Sequence, residues 1–307
     1  MSDFIGHLLS RYGFQAFEAS DRTKFLGYGT DTEIFDVSFT NFYSWNEQFR
    51  YVYKTMDGVI AVAYTGLDGQ AACILLPDGS AGLKDAVGEM YHIFSAEGRP
   101  LRFEYVPEEW LPLYHACGFE VRESWSRDWS DYIYDVAEFI DLAGNHNKFK
   151  RREIAAFQGQ GETGFTPLVR ETMDVALDVF DRWCSGYDCN HCVFGCERRA
   201  FARLADIWEE QFYGGVAWLD GQPVAFAVAE TLNDCACYLF QKNAARTNGL
   251  TCFLHYNCAM LPGHPAHMNW CEDMGLAGLR ANKLKYRPCT LLKKYSLEIT
   301  GPLADKR

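Results

Sequence analysis

Glu272-Asp273-Met274-Gly275-Leu276-Ala277-Gly278-Leu279-Arg280-Ala281-Asn282-Lys283-Leu284-Lys285-Tyr286-Arg287-Pro288 is the stretch on which the reading of this chain turns. Two acids, two glycines and four basic residues make it too polar for a core strand and too glycine-broken for a long helix, so it reads as a site. From Gly278 to Lys294 there are six Lys or Arg residues and no Asp or Glu, in a chain of formal net charge −12. Local charge opposite in sign to the whole molecule suits an anionic ligand. The plain alternative is a solvated basic segment beside an acidic body.

Immediately upstream, Ala236 to Lys242 reads as a strand that runs through Asn243–Thr251 into a helix from about Thr251 to Met260. A glycine between strand and helix lets backbone N–H groups face an anion at close range. Before it, Gly214 to Glu230 is a hairpin about Asp220-Gly221. Helices are expected at about Thr172–Trp183 and Arg198–Tyr213, and a strand at Thr166–Arg170. Lys148-Phe149-Lys150-Arg151-Arg152 is a second local charge reversal, opening a helix towards Phe157.

The first half repeats a similar order. A helix begins near Ser38 or Thr40, ahead of an aromatic face. Strands at Tyr51–Tyr53, Val59–Tyr64 and Ala71–Leu76 follow, then a helix over Leu83–Phe94 and a strand at Leu101–Val106. A short helix at about Glu108–Ala116 and a strand after Gly118 complete it. Antiparallel strands followed by helix, strand, helix and strand indicate an α/β domain with a mixed sheet. At 307 residues two domains are expected, 1–135 and 136–307.

Hydrophobic residues make up 48% of the chain, which excludes a disordered protein. No apolar run reaches the roughly 18 residues of a membrane helix, and the start lacks a basic-then-apolar leader, so a cytoplasmic protein without a membrane span is expected. A pI near 5.1 argues against general nucleic-acid binding and leaves room for a local basic groove. The twelve cysteines are expected as reduced thiols, with Cys73, Cys117, Cys235, Cys237, Cys252 and Cys258 in the core. Cys184, Cys189, Cys192 and Cys196 have a spacing that could hold zinc or an iron–sulfur cluster. No second Cys-x-x-Cys knuckle matches them, so no metal is expected.

Arg246-x-x-Gly249-x-Thr251 resembles a degenerate form of the loop with which acetyltransferases of the GNAT fold hold the pyrophosphate of coenzyme A. Four stretches together resemble the family named for the C-terminal domain of phosphatidylglycerol lysyltransferase. They are Ser38-Phe39-Thr40-Asn41 with Trp45; Asp131-Tyr132-Ile133-Tyr134 through Gly144 to Arg152; Val224-Ala225-Phe226; and Glu272-Asp273-x-Gly275-x-x-Gly278-Leu279-Arg280-x-x-Lys283-x-x-Tyr286-x-Pro288 with Lys294-Tyr295. The resemblance implies two tandem GNAT-like domains, each a mixed, largely antiparallel sheet flanked by helices, akin to the Fem transferases. It implies acyl or aminoacyl transfer from acyl-CoA or aminoacyl-tRNA to an amine or hydroxyl, with no tightly bound cofactor. The acceptor would be a small molecule, a peptide or a lipid headgroup, and the tRNA acceptor end a possible partner. The chain departs from the family at Leu239-Phe240-Gln241-Lys242, where His-x-Glu-Lys is usual, and at Gly144-Asn145-His146-Asn147-Lys148, where Gly-Lys-Lys is usual.

Such a transfer needs phosphate grips, an oxyanion stabiliser and a proton acceptor. Donor phosphates are assigned to Arg246, Gly249, Thr251, Arg280 and Lys283, with Lys242, Lys150 and Arg151 beside them. Glu272 or Asp273 would orient the amine or take its proton, and Tyr286 would be the acid for the leaving group. Glu272 and Asp273 could equally form an internal ion network with Arg280 and Lys283. A catalytically silent module that senses a nucleotide or peptide is the competing function, favoured by the missing His-x-Glu.

Overall fold

The computed structural model describes residues 3–29, 31–79, 82–186, 195–209 and 211–303. In chain order the elements are α1 (Phe4–Arg11), β1 (Gln15–Ala16), α2 (Phe39–Ser44), α3 (Asn46–Phe49), β2 (Val52–Met56), β3 (Val59–Thr65), β4 (Ala71–Pro77), α4 (Leu83–Ala96), β5 (Leu101–Pro107), α5 (Leu111–His115) and β6 (Phe119–Trp125). Then come β7 (Asp131–Asp135), α6 (Ala137–Ile140), α7 (Lys148–Gln158), β8 (Thr163–Pro167), α8 (Met173–Cys184), α9 (Glu197–Ala202), β9 (Phe212–Leu219), β10 (Gln222–Leu232), β11 (Cys235–Asn243), α10 (Leu250–Ala259), β12 (His267–Asn269), α11 (Ala277–Lys285), β13 (Thr290–Leu292) and β14 (Lys294–Pro302).

They form two compact units. The first comprises Met1–Asp131, Glu272–Leu276 and Leu292–Arg307; the second comprises Tyr132–Cys271 and Ala277–Leu291. The first sheet has the order β1-β2-β3-β4-β5-β14-β6 and the second β13-β7-β12-β11-β10-β9-β8. Two mixed, largely antiparallel sheets flanked by helices are the tandem α/β arrangement expected from the sequence. The partition differs from a single boundary after residue 135. Strand β14, expected in the second half, lies antiparallel between β5 and β6, pairing Leu297 with Phe103 on one side and with Glu123 on the other. Its inward residues Leu297 and Ile299 are buried in the first core, and that burial outweighs nearness in sequence.

Local chemistry explains the elements of the first unit. Strands β3 and β4 are buried along almost their whole length and read as continuous apolar runs, as strands covered on both faces do. Helix α4 buries Leu83, Ala86, Val87, Met90, Ile93 and Phe94, the three-to-four spacing of one helical face. Ser38 Oγ accepts from Asn41 N at 3.1 Å and caps α2. In the second unit Asp220 and Gly221, with φ of 50° and 74°, form the tight turn joining β9 and β10. The expected helix from Arg198 to Tyr213 is cut short: α9 ends at Ala202, and β9 begins at Phe212, where apolar residues change from helical to strand burial.

Each sheet has a parallel step across which a helix crosses over. Cys73 of β4 pairs with Phe103 of β5, and Cys235, Ala236 and Cys237 of β11 pair with His267, Met268 and Asn269 of β12. A left-handed glycine opens each crossover helix: Gly82 at φ 78° before α4, and Gly249 at φ 82° before α10. A Cβ at Gly82 would lie 1.9 Å from the Asp57 carbonyl oxygen, and one at Gly249 would lie 1.8 Å from that of Glu153. Strain and collision coincide, so Gly249→Ala should lower the unfolding free energy by about 2–4 kcal/mol. Equilibrium urea unfolding checks this; a change within about 0.5 kcal/mol would contradict the packing described. No helix among the described residues is long and apolar enough to cross a membrane.

Candidate functional site

In the first unit, four distant segments bring charged groups to one buried point. Asp36 comes from the 3-10 turn Phe35–Val37, Asp131 from the start of β7, Glu272 from the segment that rejoins this unit, and Lys294 from the start of β14. Lys294 Nζ donates to Asp36 Oδ2 at 2.7 Å, to Asp131 Oδ1 at 2.8 Å and to Glu272 Oε2 at 3.1 Å. The lysine side chain is 3% exposed and that of Asp131 0%, whereas Asp36 and Glu272 keep 10% and 14%. Asp36 and Glu272 are therefore the least enclosed members of the cluster.

Three carboxylates and one ammonium carry a formal charge of −2 at this point. Burial raises the Asp36 carboxyl to about 7, and the charges of Glu272 and Asp131 add to the rise while Lys294 opposes it. Burial alone would weaken the proton affinity of Lys294, but Asp131, Asp36 and Glu272 override it and hold the ammonium charged well beyond its usual range. One oxygen from each of the three acids lies within 4.8 Å of the others, a spacing that would suit a divalent cation. The ammonium already bridges all three, so Lys294 serves as the cation of the site. A carboxylate that exchanges a proton near neutrality, beside a fixed ammonium, is equipped to receive a proton or hold a cationic amine.

Asp273, the neighbour of Glu272, is fully buried and turned elsewhere. Its carboxylate pairs with Arg127, and Oδ1 accepts from Gly275 N at 2.9 Å. These bonds, with Met274 N donating to Asp128 O at 2.9 Å, fix the short segment that presents Glu272.

The remaining predicted site residues lie in the second unit. Gly278 does not break α11, because it sits in the first turn, where a glycine costs little. Lys283 is buried on this helix, and its Nζ donates to Trp270 O and, at 3.0 Å, to Cys271 O. It pins the chain beyond β12. The ring of Tyr286 packs against Phe139, Trp270 and Phe149 with centroids 6.1, 5.1 and 5.4 Å away. Burial raises the Tyr286 phenol further above neutrality, which makes it a weak acid.

Lys150 is buried too, donating to Glu138 O at 3.0 Å and lying 4.0 Å from the centre of the Phe139 ring. Exposed Arg151 donates to the carbonyls of Leu142 and Gly144. Lys242 pairs with Glu197 at 2.7 Å and stands 4.5 Å from the Trp183 ring centre. Arg246 is exposed on the loop before Gly249, Arg280 is half-buried, and Thr251 Oγ1 accepts from Asn243 Nδ2 at 2.8 Å. At that loop the buried oxygens Asn243 Oδ1 and Thr247 Oγ1 have no hydrogen-bond partner, and α10 has no side-chain cap.

Of the predicted residues, Glu272 alone joins the carboxylate–lysine cluster. Asp36, Asp131 and Lys294 were not singled out as site residues. Lys294 stands three residues before Leu297, on the opposite parity of β14 from Leu297 and Ile299, and is buried all the same, so neither it nor Asp36 left a signal in the local pattern. Gln241, where the family usually has Glu, accepts through Oε1 from His255 Nε2 at 2.9 Å in the second unit. Cys184 is half-buried and Cys196 exposed, while Cys189 and Cys192 lie outside the described residues.

Comparison with known proteins agrees with this architecture. A conserved protein of unknown function from Bacteroides thetaiotaomicron superposes with a TM-score of 0.84 at 24% identity, covering 94% of this chain and 99% of that one. L-PGS from Bacillus licheniformis gives 0.63 at 18% identity, covering 85% and 87%, and FemX gives 0.59 at 10%, covering 92% and 96%. These likenesses show a shared fold. No curated protein sequence matches the chain. The family model described as phosphatidylglycerol lysyltransferase, C-terminal, matches residues 31–298. The chain belongs to that family of transferases.

Proposed function

We propose that the chain is an aminoacyltransferase, moving an aminoacyl group from the 3′ end of a tRNA to an amine or hydroxyl of a small molecule, peptide or lipid headgroup. The family match over residues 31–298 carries this reading. In the reaction the acceptor nitrogen or oxygen attacks the ester carbonyl, the ester C–O bond breaks, and the tRNA ribose hydroxyl leaves with a proton. The Asp36 carboxylate takes the proton of the attacking group and returns it to the leaving ribose oxygen, Glu272 orients the amine, and Lys294 keeps the adjacent carboxylates in place.

The test is transfer of radiolabel from a panel of aminoacyl-tRNAs, and from labelled acetyl-CoA, to acceptors of each class. Labelled product from an aminoacyl-tRNA supports the reading. Label released only at the rate of spontaneous hydrolysis overturns it, and product from acetyl-CoA alone reassigns the donor. A silent sensing module is the second reading, favoured by Leu239 and Gln241 where His and Glu are usual. Ligand-dependent stabilisation without turnover would select it.

A further inference from the structure

At the end of the first sheet where β3 turns into β4, two guanidinium groups border a cavity of about 570 Å³ with apolar walls. Local chemistry places each wall. Helix α4 gives way to left-handed Gly98, at φ 66°, and Arg99 N donates back to Phe94 O at 2.9 Å. That closure lays the Arg99 guanidinium 4.9 Å from the centre of the Phe4 ring, which meets Phe94 edge-on at 5.2 Å. Among the described residues the Arg99 side chain has no hydrogen-bond or ion-pair partner, and its Nε is buried. Arg50 follows α3 and meets Asp3, with Nη1 3.4 Å from Oδ1. Both of these side chains are mostly exposed, so screening leaves the pair weak and exchangeable. Phe49 forms another wall, set edge-on to Tyr64 at 6.2 Å. The β3–β4 turn, closed by Gly66 N donating to Gln70 O at 2.8 Å, holds Leu67 half exposed beside it.

We propose that this cavity is a binding site for a small carboxylic acid with an apolar body, the carboxylate held by Arg99 and Arg50 and the body lying against Phe49 and Leu67. A buried guanidinium N–H without an acceptor is unfavourable, and a carboxylate presents two oxygens in the planar geometry of the guanidinium fork. The nearby acids other than Asp3 are engaged elsewhere. Asp68 accepts from Gln70 N at 2.9 Å and pairs with Arg102 at 3.5 Å, and Glu97 pairs with His7 at 2.6 Å. Two arginines against one acid leave the cavity net positive. Apolar walls with a few convergent polar groups are the usual make-up of a small-molecule site, and the volume suits one. The cavity stands apart from the carboxylate–lysine cluster. Lys294 pairs with Pro107 at the far end of β5, whereas parallel pairing of Cys73 with Phe103 sets the β3–β4 turn beside the first residues of that strand. The length of β5, roughly 20 Å, separates the two. A ligand bound here is therefore neither donor nor acceptor of the transfer, and the proposal does not depend on that reading.

The test uses the full chain and para-fluorophenylacetate, ionised at neutral pH, followed by the broadening of its fluorine NMR line as protein is added. A Kd of about 0.1–1 mM is expected for a ligand of this size. Para-fluorophenylacetamide, the same shape without charge, should bind at least about ten-fold more weakly. Inorganic phosphate, an anion without an apolar body, should displace the acid only at about ten-fold or greater excess. Arg99→Gln should weaken binding of the acid at least about ten-fold. Because Arg99 also packs on Phe4, two variants at exposed positions guard against misfolding. Arg50→Gln should weaken binding by about three- to ten-fold. Leu67→Asp sets a like charge beside the carboxylate and should weaken it at least about ten-fold. Arg122→Gln, exposed on β6, is the control and should bind as the parent does.

Binding that falls in Arg50→Gln and Leu67→Asp and holds in Arg122→Gln supports the site, whether or not the protein transfers an aminoacyl group. No broadening at millimolar acid overturns the proposal, as does equal binding by the parent and the Arg50 and Leu67 variants. An amide that binds as tightly as the acid removes the carboxylate from the recognition. Displacement by an equal concentration of phosphate removes the apolar walls from it. Either result overturns the proposal as well.

Discussion

Replacing Lys294 by methionine is expected to destabilise the protein by about 3–5 kcal/mol at pH 7.5. Methionine roughly matches the length of the lysine stem, so packing is largely kept and the loss is electrostatic. Asp36, Asp131 and Glu272, now grouped about one ammonium at 2.7, 2.8 and 3.1 Å, would be left as three like charges in a buried place. Protonation relieves that repulsion, so the loss should shrink as pH falls towards 5. Lys293 provides the contrast. Its ammonium lies 2.6 Å from Glu108, but both side chains are more than a third exposed, at 37% and 54%. Screening holds such a surface pair to roughly 0–1 kcal/mol, so Lys293→Met should be nearly silent. Urea unfolding of both variants at the two pH values decides the matter, and equal effects would mean that the cluster is not the internal ion network described.

Asp36→Asn should raise stability and lower transfer together. The folded-state carboxyl sits near 7, above an unfolded value of about 4, so between these values the folded chain holds a proton that the unfolded chain has released. Stability due to this group therefore falls as pH rises through that window and stays low above it. Three pH units set an upper bound of about 4 kcal/mol, and a gain of roughly 1–3 kcal/mol at pH 8 is expected for asparagine. The amide oxygen still accepts from Lys294 but takes no proton from a nucleophile. Transfer should drop about 10²- to 10³-fold, and the rise of rate near pH 7 should disappear. Unfolding curves at pH 5 and pH 8, beside a pH–rate profile, test both halves. Unchanged transfer would remove Asp36 as the proton acceptor, whatever happens to stability.

Much of the fold was readable because it is written in local periodicity. The apolar run Val59–Tyr64 and the spacing of Leu83, Val87, Met90 and Phe94 bury their own elements whatever surrounds them. The Asp220-Gly221 turn needs two left-handed residues, and the sequence supplies a pair that tolerates them. Helix α11 was missed because two glycines and a row of charges obscure its period. Its stability comes from buried Lys283 and Tyr286 and from Tyr134 Oη, which donates to Lys283 O at 2.9 Å.

The candidate site was far less legible. Charge pattern marked Lys283 and Lys150, and the need for an acid marked Tyr286, but whether a lysine faces ligand or carbonyl depends on what packs over it. The family motifs contained Asp131, Glu272 and Lys294 without showing that they meet.

The sequence by itself determined the tandem α/β class, the positions of most strands and crossover helices, and one of the two glycines that open those helices, Gly249. Backbone sterics and apolar spacing act between near neighbours, so one stretch of chain suffices to state them. Only the tertiary structure decided that the last strand returns to the first sheet and that Lys294 meets Asp36 across 258 positions. Closing a sheet is a long-range choice, set by which strand best buries Leu297 and Ile299, and the buried charges come together as its consequence.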